Sequence, residues 1–160
     1  GKKAALAVFA IAILKGFAAV MLAHFSNYAS GSDALFNFKI ALVAAAVIGH
    51  IFPIFAGFRG GKGVATLAGA VAGVYPPAVG LCLLVFIIVL MLTHYVSLSS
   101  MTAGIAFPSF IIFLFGERST SLVIFSCVIA VLLLITHRKN IGRLIHHTES
   151  KTYLGKRKPE

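Results

Sequence analysis

Long apolar runs, each closed by a short polar stretch, set the pattern of this 160-residue chain. A helix needs about 20 apolar residues to cross the hydrocarbon of a bilayer, with roughly 17 as a lower limit. Ala4 to Phe25 and Leu35 to Phe58 meet that length outright. Val64 to Leu92 is longer than one span and is interrupted by Pro76-Pro77, while Met101 to Phe115 and Leu122 to Thr136 are short but uniformly apolar. The pattern predicts an all-α integral membrane protein. It leaves open whether Val64 to Leu92 crosses once or folds as two short helices hinged at the prolines.

Charge decides between the two. Cytoplasmic segments carry an excess of Lys and Arg. With Lys2 and Lys3 inside and a single middle span, the basic tail would finish outside. With two helices there, the inside holds Lys2, Lys3, Arg59, Lys62 and the seven Lys and Arg residues from Arg138 to Lys158, against Lys39 and Arg118 outside. Six transmembrane helices follow, with cytoplasmic loops at Arg59 to Gly63 and Thr93 to Ser100. Residues 1–136 then form a transmembrane domain and residues 137–160 a cytoplasmic basic tail. Helices starting near Ala4, Val64 and Met101 would turn their positive ends to the cytoplasm, where anions should gather.

Composition narrows the class further. Only 11% of residues are charged, against about 25% in soluble domains. Fourteen Lys and Arg against four Asp and Glu give a net charge of +10. Beside apolar runs, that balance implies anionic headgroups or phosphorylated substrates and not nucleic acid. Asp33 is the only aspartate, which excludes a metal site made from carboxylates. Cys82 and Cys127 lie within apolar runs and read as buried thiols, neither a disulfide nor metal ligands. Lys2-Lys3 before an apolar stretch imitates a signal peptide, yet Lys15 interrupts that stretch and more spans follow, so it reads as a retained helix.

The most informative stretch is Gly49-His50-Ile51-Phe52-Pro53, continued by Phe58-Arg59-Gly60-Gly61-Lys62-Gly63-Val64-Ala65-Thr66. Three glycines let backbone N–H groups turn toward a ligand, Arg59 and Lys62 flank them, and a helix N-terminus follows, which together make an anion cradle. The competing reading is a flexible turn with two positive-inside anchors. The stretch is not a P-loop, because Ala56 stands where the first Gly is required and Gly63 follows Lys62 in place of Ser or Thr. His50, near the end of its helix, is either a hydrogen-bonded packing residue or an acid or base. A His-x4-Asp acyltransferase dyad is absent, since its Asp position is Phe55.

Ser97, Ser99 and Ser100 precede the helix expected from Met101, and at least one should cap it. A hydroxyl there can also donate to a phosphate oxygen. In the tail, His137, Asn140, Ile141 and Leu144 share one helical face at 100° per residue, so two polar groups turn inward and need partners. Arg138, Lys139 and the run Lys156-Arg157-Lys158 read as a solvated surface lying on lipid, and His146-His147 as surface. Lys15 lies about 17 Å along its helix from Ala4, too deep for easy snorkelling. An intramembrane cation is a functional candidate, the alternative being an uncharged lysine buried beside Gly16 where two helices approach.

These stretches, with Tyr95-Val96-Ser97-Leu98-Ser99-Ser100, His137-Arg138-Lys139-Asn140-Ile141-Gly142-Arg143-Leu144 and Thr148-Glu149-Ser150-Lys151, resemble the bacterial acyl-phosphate-dependent glycerol-3-phosphate acyltransferases over nearly the whole chain. The resemblance implies a bacterial plasma-membrane enzyme of seven helices, active face and C-terminus cytoplasmic. Its reaction would transfer a fatty acyl group from acyl phosphate to the 1-hydroxyl of glycerol 3-phosphate, giving lysophosphatidic acid. It implies His50, Ser97, His137 and Asn140 as catalytic positions. Arg59, Gly60, Gly61, Lys62, Gly63, Ser100, Arg143, Glu149 and Lys15 would then serve the substrate phosphates. The implied partners are acyl phosphate, glycerol 3-phosphate and membrane lipid, with no metal and no cofactor. An acyl phosphate is a mixed anhydride with a good leaving group, so positioning and charge neutralisation can serve without a covalent acyl-enzyme. The proton of the attacking hydroxyl would go to His50 or to a substrate phosphate oxygen.

The chain departs from the family in three places. It begins where the family's second helix would, without the first helix and its Ser- and Asn-containing glycine loop, so it is expected to insert but to turn over little. An Asp usual three residues before the intramembrane lysine is Ala12, which removes a partner for Lys15. A Gly usual in the tail is His147, which puts the turn before Glu149 in question. The rival reading is a small transporter subunit for a phosphorylated solute, but of a transporter's paired repeats, midplane sites and intramembrane charges only Lys15 is present. A phosphotransferase of CDP-alcohol type would need several Asp.

Overall fold

The computed structural model describes residues 2–153, and every regular element among them is helical. In order these are α1 (Lys2–Met21), α2 (Asp33–Ile51), α3 (Val64–Val74), α4 (Pro76–Thr93), α5 (Val96–Ser109), α6 (Thr120–Thr136) and α7 (Arg138–Ile145). A 3-10 turn continues α1 over Leu22–Phe25, another covers Ile54–Ala56, and a π-helical turn carries α5 on through Phe110–Leu114. Among the described residues, 4 helices are long and apolar enough to cross a membrane, or up to 5 if α6 and α7 count as one bent span. The 11 residues of α3 reach only about 16 Å.

The hinge at the prolines is present. Tyr75 leaves helical geometry at φ −143 and ψ 76 after α3, and α4 restarts at Pro76, where a missing N–H would be unpaired in any case. Other boundaries move from where the apolar runs put them. Ser32 caps α2 by accepting from the Leu35 N–H at 3.2 Å, so the helix starts at Asp33. It stops at Ile51 and not at Phe58, because Pro53 cannot donate to the helical ladder and Gly57 and Phe58 turn left-handed, each at φ 60.

The chain divides into two compact units, one up to Val79 and one from Gly80 onward. In the first, α3 lies along α1, and small residues bring the two backbones together. A Cβ at Gly16 would fall 1.9 Å from the Thr66 carbonyl oxygen, and one at Gly69 would fall 1.9 Å from that of Ile13. Gly69 and Gly73 stand four apart on α3, the spacing that lets membrane helices approach closely. In the second unit α5 packs on α6, with Phe107 edge-on to Phe125 at 6.5 Å between ring centroids. At His137 the chain bends by 59° into α7.

Exposed apolar side chains such as Leu6, Phe9, Leu14, Phe113, Ile124 and Val128 suit a lipid surround. The cysteines correct one expectation, since Cys82 is half-buried and Cys127 exposed, both free. An apolar run predicts removal from water, and on a helix facing lipid that does not require burial in protein.

Candidate active site

In the first unit the polar residues gather around the end of α2. The His50 Nδ1 is hydrogen-bonded to the Thr66 Oγ1 at 2.9 Å, and Thr66 is fully buried in the first turn of α3. The glycine stretch folds back over the same imidazole. A Cβ at Gly61 would lie 2.6 Å from His50 Nε2, and one at Gly60 would lie 2.0 Å from the His50 carbonyl oxygen. The Gly60 N–H donates to Ile51 O at 3.1 Å and the Arg59 N–H to Ala56 O at 3.2 Å, so those two amides hold the loop instead of facing a ligand. Gly63, left-handed at φ 78, leads into α3 as its N-cap. Arg59, Gly60, Gly61 and Lys62 are exposed.

Lys15 also faces outward and is not the buried lysine weighed as an alternative. Its neighbour Gly16 makes the close helix approach expected there. Ala12, three residues before Lys15, is buried.

In the second unit the cluster centres on Glu149. Its Oε1 accepts from Ser97 Oγ at 2.7 Å and from Asn140 Nδ2 at 2.6 Å, and its Oε2 accepts from Arg143 Nε at 2.6 Å. Burial by itself pushes this carboxyl up, but the hydrogen bonds from Ser97, Asn140 and Arg143 and the Arg143 charge outweigh it and hold the group at about 2. Asn140 Oδ1 is buried with no hydrogen-bond partner. His137 is buried beside it in the chain, its Nδ1 at 2.8 Å from Leu133 O.

Helical continuation of the tail thus places His137 and Asn140 inward and leaves Arg138 and Lys139 exposed, as the 100° spacing predicts. The serines differ from expectation. Because α5 starts at Val96, Ser97, Ser99 and Ser100 all lie within its first turns, and no side chain caps it from Tyr95. Ser99 donates back to Tyr95 O at 2.8 Å and Ser100 to Val96 O at 2.9 Å, leaving Ser97 as the one turned to Glu149.

The turn before Glu149 forms without glycine. His147 is left-handed at φ 56, and the Thr148 N–H reaches Arg143 O at 2.8 Å in the pattern of a Schellman cap. Beyond it the chain docks on the segment between α4 and α5. The Thr152 N–H donates to His94 O at 2.7 Å, Tyr153 meets the His94 ring at 4.5 Å between centroids, and Lys151 stands over Tyr95.

The family profile described as glycerol-3-phosphate acyltransferase matches residues 1–147. The chain belongs to this family. A glycerol-3-phosphate acyltransferase from Chlorobium phaeobacteroides is 36% identical over 184 residues, covering 98% of this chain and 78% of that protein. One from a Thermoanaerobacter species is 40% identical over 151 residues, covering 94% and 72%. The crystal structure of PlsY (YgiH), an integral membrane glycerol 3-phosphate acyltransferase, in its glycerol 3-phosphate form matches with a TM-score of 0.81 at 34% identity, over 96% of this chain and 73% of that one. Its lysophosphatidic acid form matches with a TM-score of 0.80.

The acyltransferase motifs therefore fall into two groups within this chain. One is the glycine loop with His50, and the other is Ser97, Asn140, Arg143 and Glu149, with His137 beside it. Thr66 lies within the sequence motif, but spacing along the chain assigns it no role. A hydroxyl in an otherwise apolar helix, one turn after the glycines, is the signal that could have marked it.

Proposed function

We propose that this protein transfers a fatty acyl group from acyl phosphate to the 1-hydroxyl of glycerol 3-phosphate, producing lysophosphatidic acid without a covalent acyl-enzyme. The observation that carries this reading is the glycine loop leading from His50 into the N-terminus of α3, where Arg59, Lys62 and the helix dipole favour a phosphate. Relatives of the same family whose structures are in glycerol 3-phosphate and lysophosphatidic acid forms support the substrate and product. In this reading Lys15, Gly60, Gly61, Gly63, Ser100 and Arg143 serve the substrate phosphates, with Glu149 acting through the Arg143 it holds, and His50, Ser97, His137 and Asn140 are the catalytic positions.

The acid–base state of the Glu149 cluster supports chemistry without a nucleophilic serine. A carboxylate whose pKa is lowered to about 2 is a poor base, so its hydrogen bond from Ser97 positions that hydroxyl without activating it. The Asn140 amide cannot turn over without setting its oxygen against the carboxylate, so Nδ2 stays the donor to Glu149 and Oδ1 is left as a buried acceptor.

Six spans, with the glycine loop, residues 93–100 and the tail cytoplasmic in a bacterial plasma membrane, complete the proposal and rest on the Lys and Arg bias. The test supplies labelled glycerol 3-phosphate with acyl phosphate, or with acyl-CoA as control, to membranes carrying the protein. Lysophosphatidic acid should form from acyl phosphate and not from acyl-CoA. Failure to use acyl phosphate would overturn the reading.

A further inference from the structure

We propose that Thr66 positions His50, donating its hydroxyl proton to Nδ1 so that Nε2 keeps its hydrogen and presents an N–H to the glycine loop. This deepens the functional reading above and takes the phosphate ligand from it. The pair is held from both sides. Thr66 is fully buried, and its backbone is pinned where Gly16 of α1 meets its carbonyl oxygen, so the Oγ1 that lies 2.9 Å from Nδ1 has little freedom to drift. On the opposite side of the ring, Nε2 lies so close to Gly61 that a Cβ there would stand 2.6 Å away.

A neutral imidazole carries one hydrogen, and the partner of one nitrogen sets what the other offers. If Thr66 accepted from Nδ1–H, a lone pair at Nε2 would face the loop and repel phosphate oxygens. With Thr66 as donor, Nε2–H meets the anion as a hydrogen-bond donor. His50 then takes its catalytic part by donating to phosphate, and the proton of the attacking hydroxyl goes to a substrate phosphate oxygen. Thr66 itself touches no substrate and acts through the ring.

The experiment places the chain, labelled with 15N at histidine, in lipid bilayers and reads the ring nitrogens by NMR, with His50→Gln assigning the signal. Wild type should show the Nε2–H tautomer, Thr66→Val a mixture of both, and Thr66→Ser the wild-type pattern. Glycerol 3-phosphate should shift the Nε2 signal, and Thr66→Val should bind it about tenfold more weakly, the effect of one ordinary hydrogen bond. In a His50→Gln background the same valine should cost nothing further, which a merely structural role would not produce. Thr102→Val, whose hydroxyl donates only to Leu98 O within its own helix in α5, should change neither readout. An Nδ1–H tautomer in wild type, or a Thr66→Val protein identical to wild type, overturns the proposal. An Nε2–H tautomer whose signal glycerol 3-phosphate leaves unmoved would instead overturn the ligand assignment, whereas the functional reading falls only with the acyl-phosphate assay above.

Discussion

The two polar clusters are built by opposite means. Around His50, backbone meets side chain and backbone meets backbone, because Gly16, Gly60, Gly61 and Gly69 carry no Cβ to keep them apart. Around Glu149, side chains from the first turn of α5, from α7 and from the segment after it converge through hydrogen bonds. The first cluster depends on empty volume and tolerates no added atom, while the second depends on a charge balance and tolerates no lost partner. Helices of apolar surface in lipid gain little from burying that surface against each other, which makes close packing and polar pairing the forces left to define a site.

The largest effect should come from filling the space in the first unit. Gly69→Val drives a side chain into the Ile13 backbone, which cannot yield, and should cost several kcal/mol, beyond the ordinary range of about 1–3 for overpacking. Gly104→Ala in the second unit meets only the end of the Leu133 side chain and should cost under about 1 kcal/mol. Thermal melting of both variants in the same detergent measures the contrast, and equal losses would erase it.

Removing the charge from the second cluster comes next. Glu149→Gln leaves Arg143 without its ion pair and weakens two hydrogen bonds, for a loss of about 2 kcal/mol. The sign of the pH dependence follows from the lowered pKa. The Glu149 contribution is complete above its ordinary value of 4.5 and is lost as pH falls toward about 2, so the Gln variant should lack that part of the acid slope. A parallel acid titration of stability in wild type and variant decides it.

The face of α7 gives a smaller and more selective effect. His137→Ala and Asn140→Ala should each lower acyl transfer at least about tenfold, whereas the exposed Lys139→Ala should stay within about twofold. Equal losses in a steady-state assay would remove the distinction between inward and outward residues. Smallest of all, His147→Gly relieves a left-handed residue and should raise stability by about 1 kcal/mol without changing turnover. A lower melting temperature would show that the histidine ring holds the turn by contacts of its own.

Much of the first cluster was legible along the chain. His50, Gly60, Gly61 and Gly63 fall within one short stretch, so their association needed only a turn at Pro53. What spacing did not show is why the glycines are there, since Gly60 and Gly61 make room for His50 as well as for any ligand. The inward face of α7 was legible too, because helical periodicity survives the bend at His137. The serines do not cap α5, because the start of an α-helix depends on backbone torsions, and Tyr95, not a serine, is the residue that stays extended.

By itself the sequence determined the solvent this chain requires, the helical class, the proline hinge and the identity of the polar residues, since apolar run length, missing proline donors and local periodicity are properties of neighbouring residues. Only the tertiary structure decided which of those residues meet. That Ser97 reaches Glu149 across 52 positions, that Thr66 holds His50 and that Gly69 admits Ile13 are consequences of helices packing at a fixed distance and rotation. No local rule contains that information, because the energy of a hydrogen bond or a close contact depends on separation in space and not along the chain.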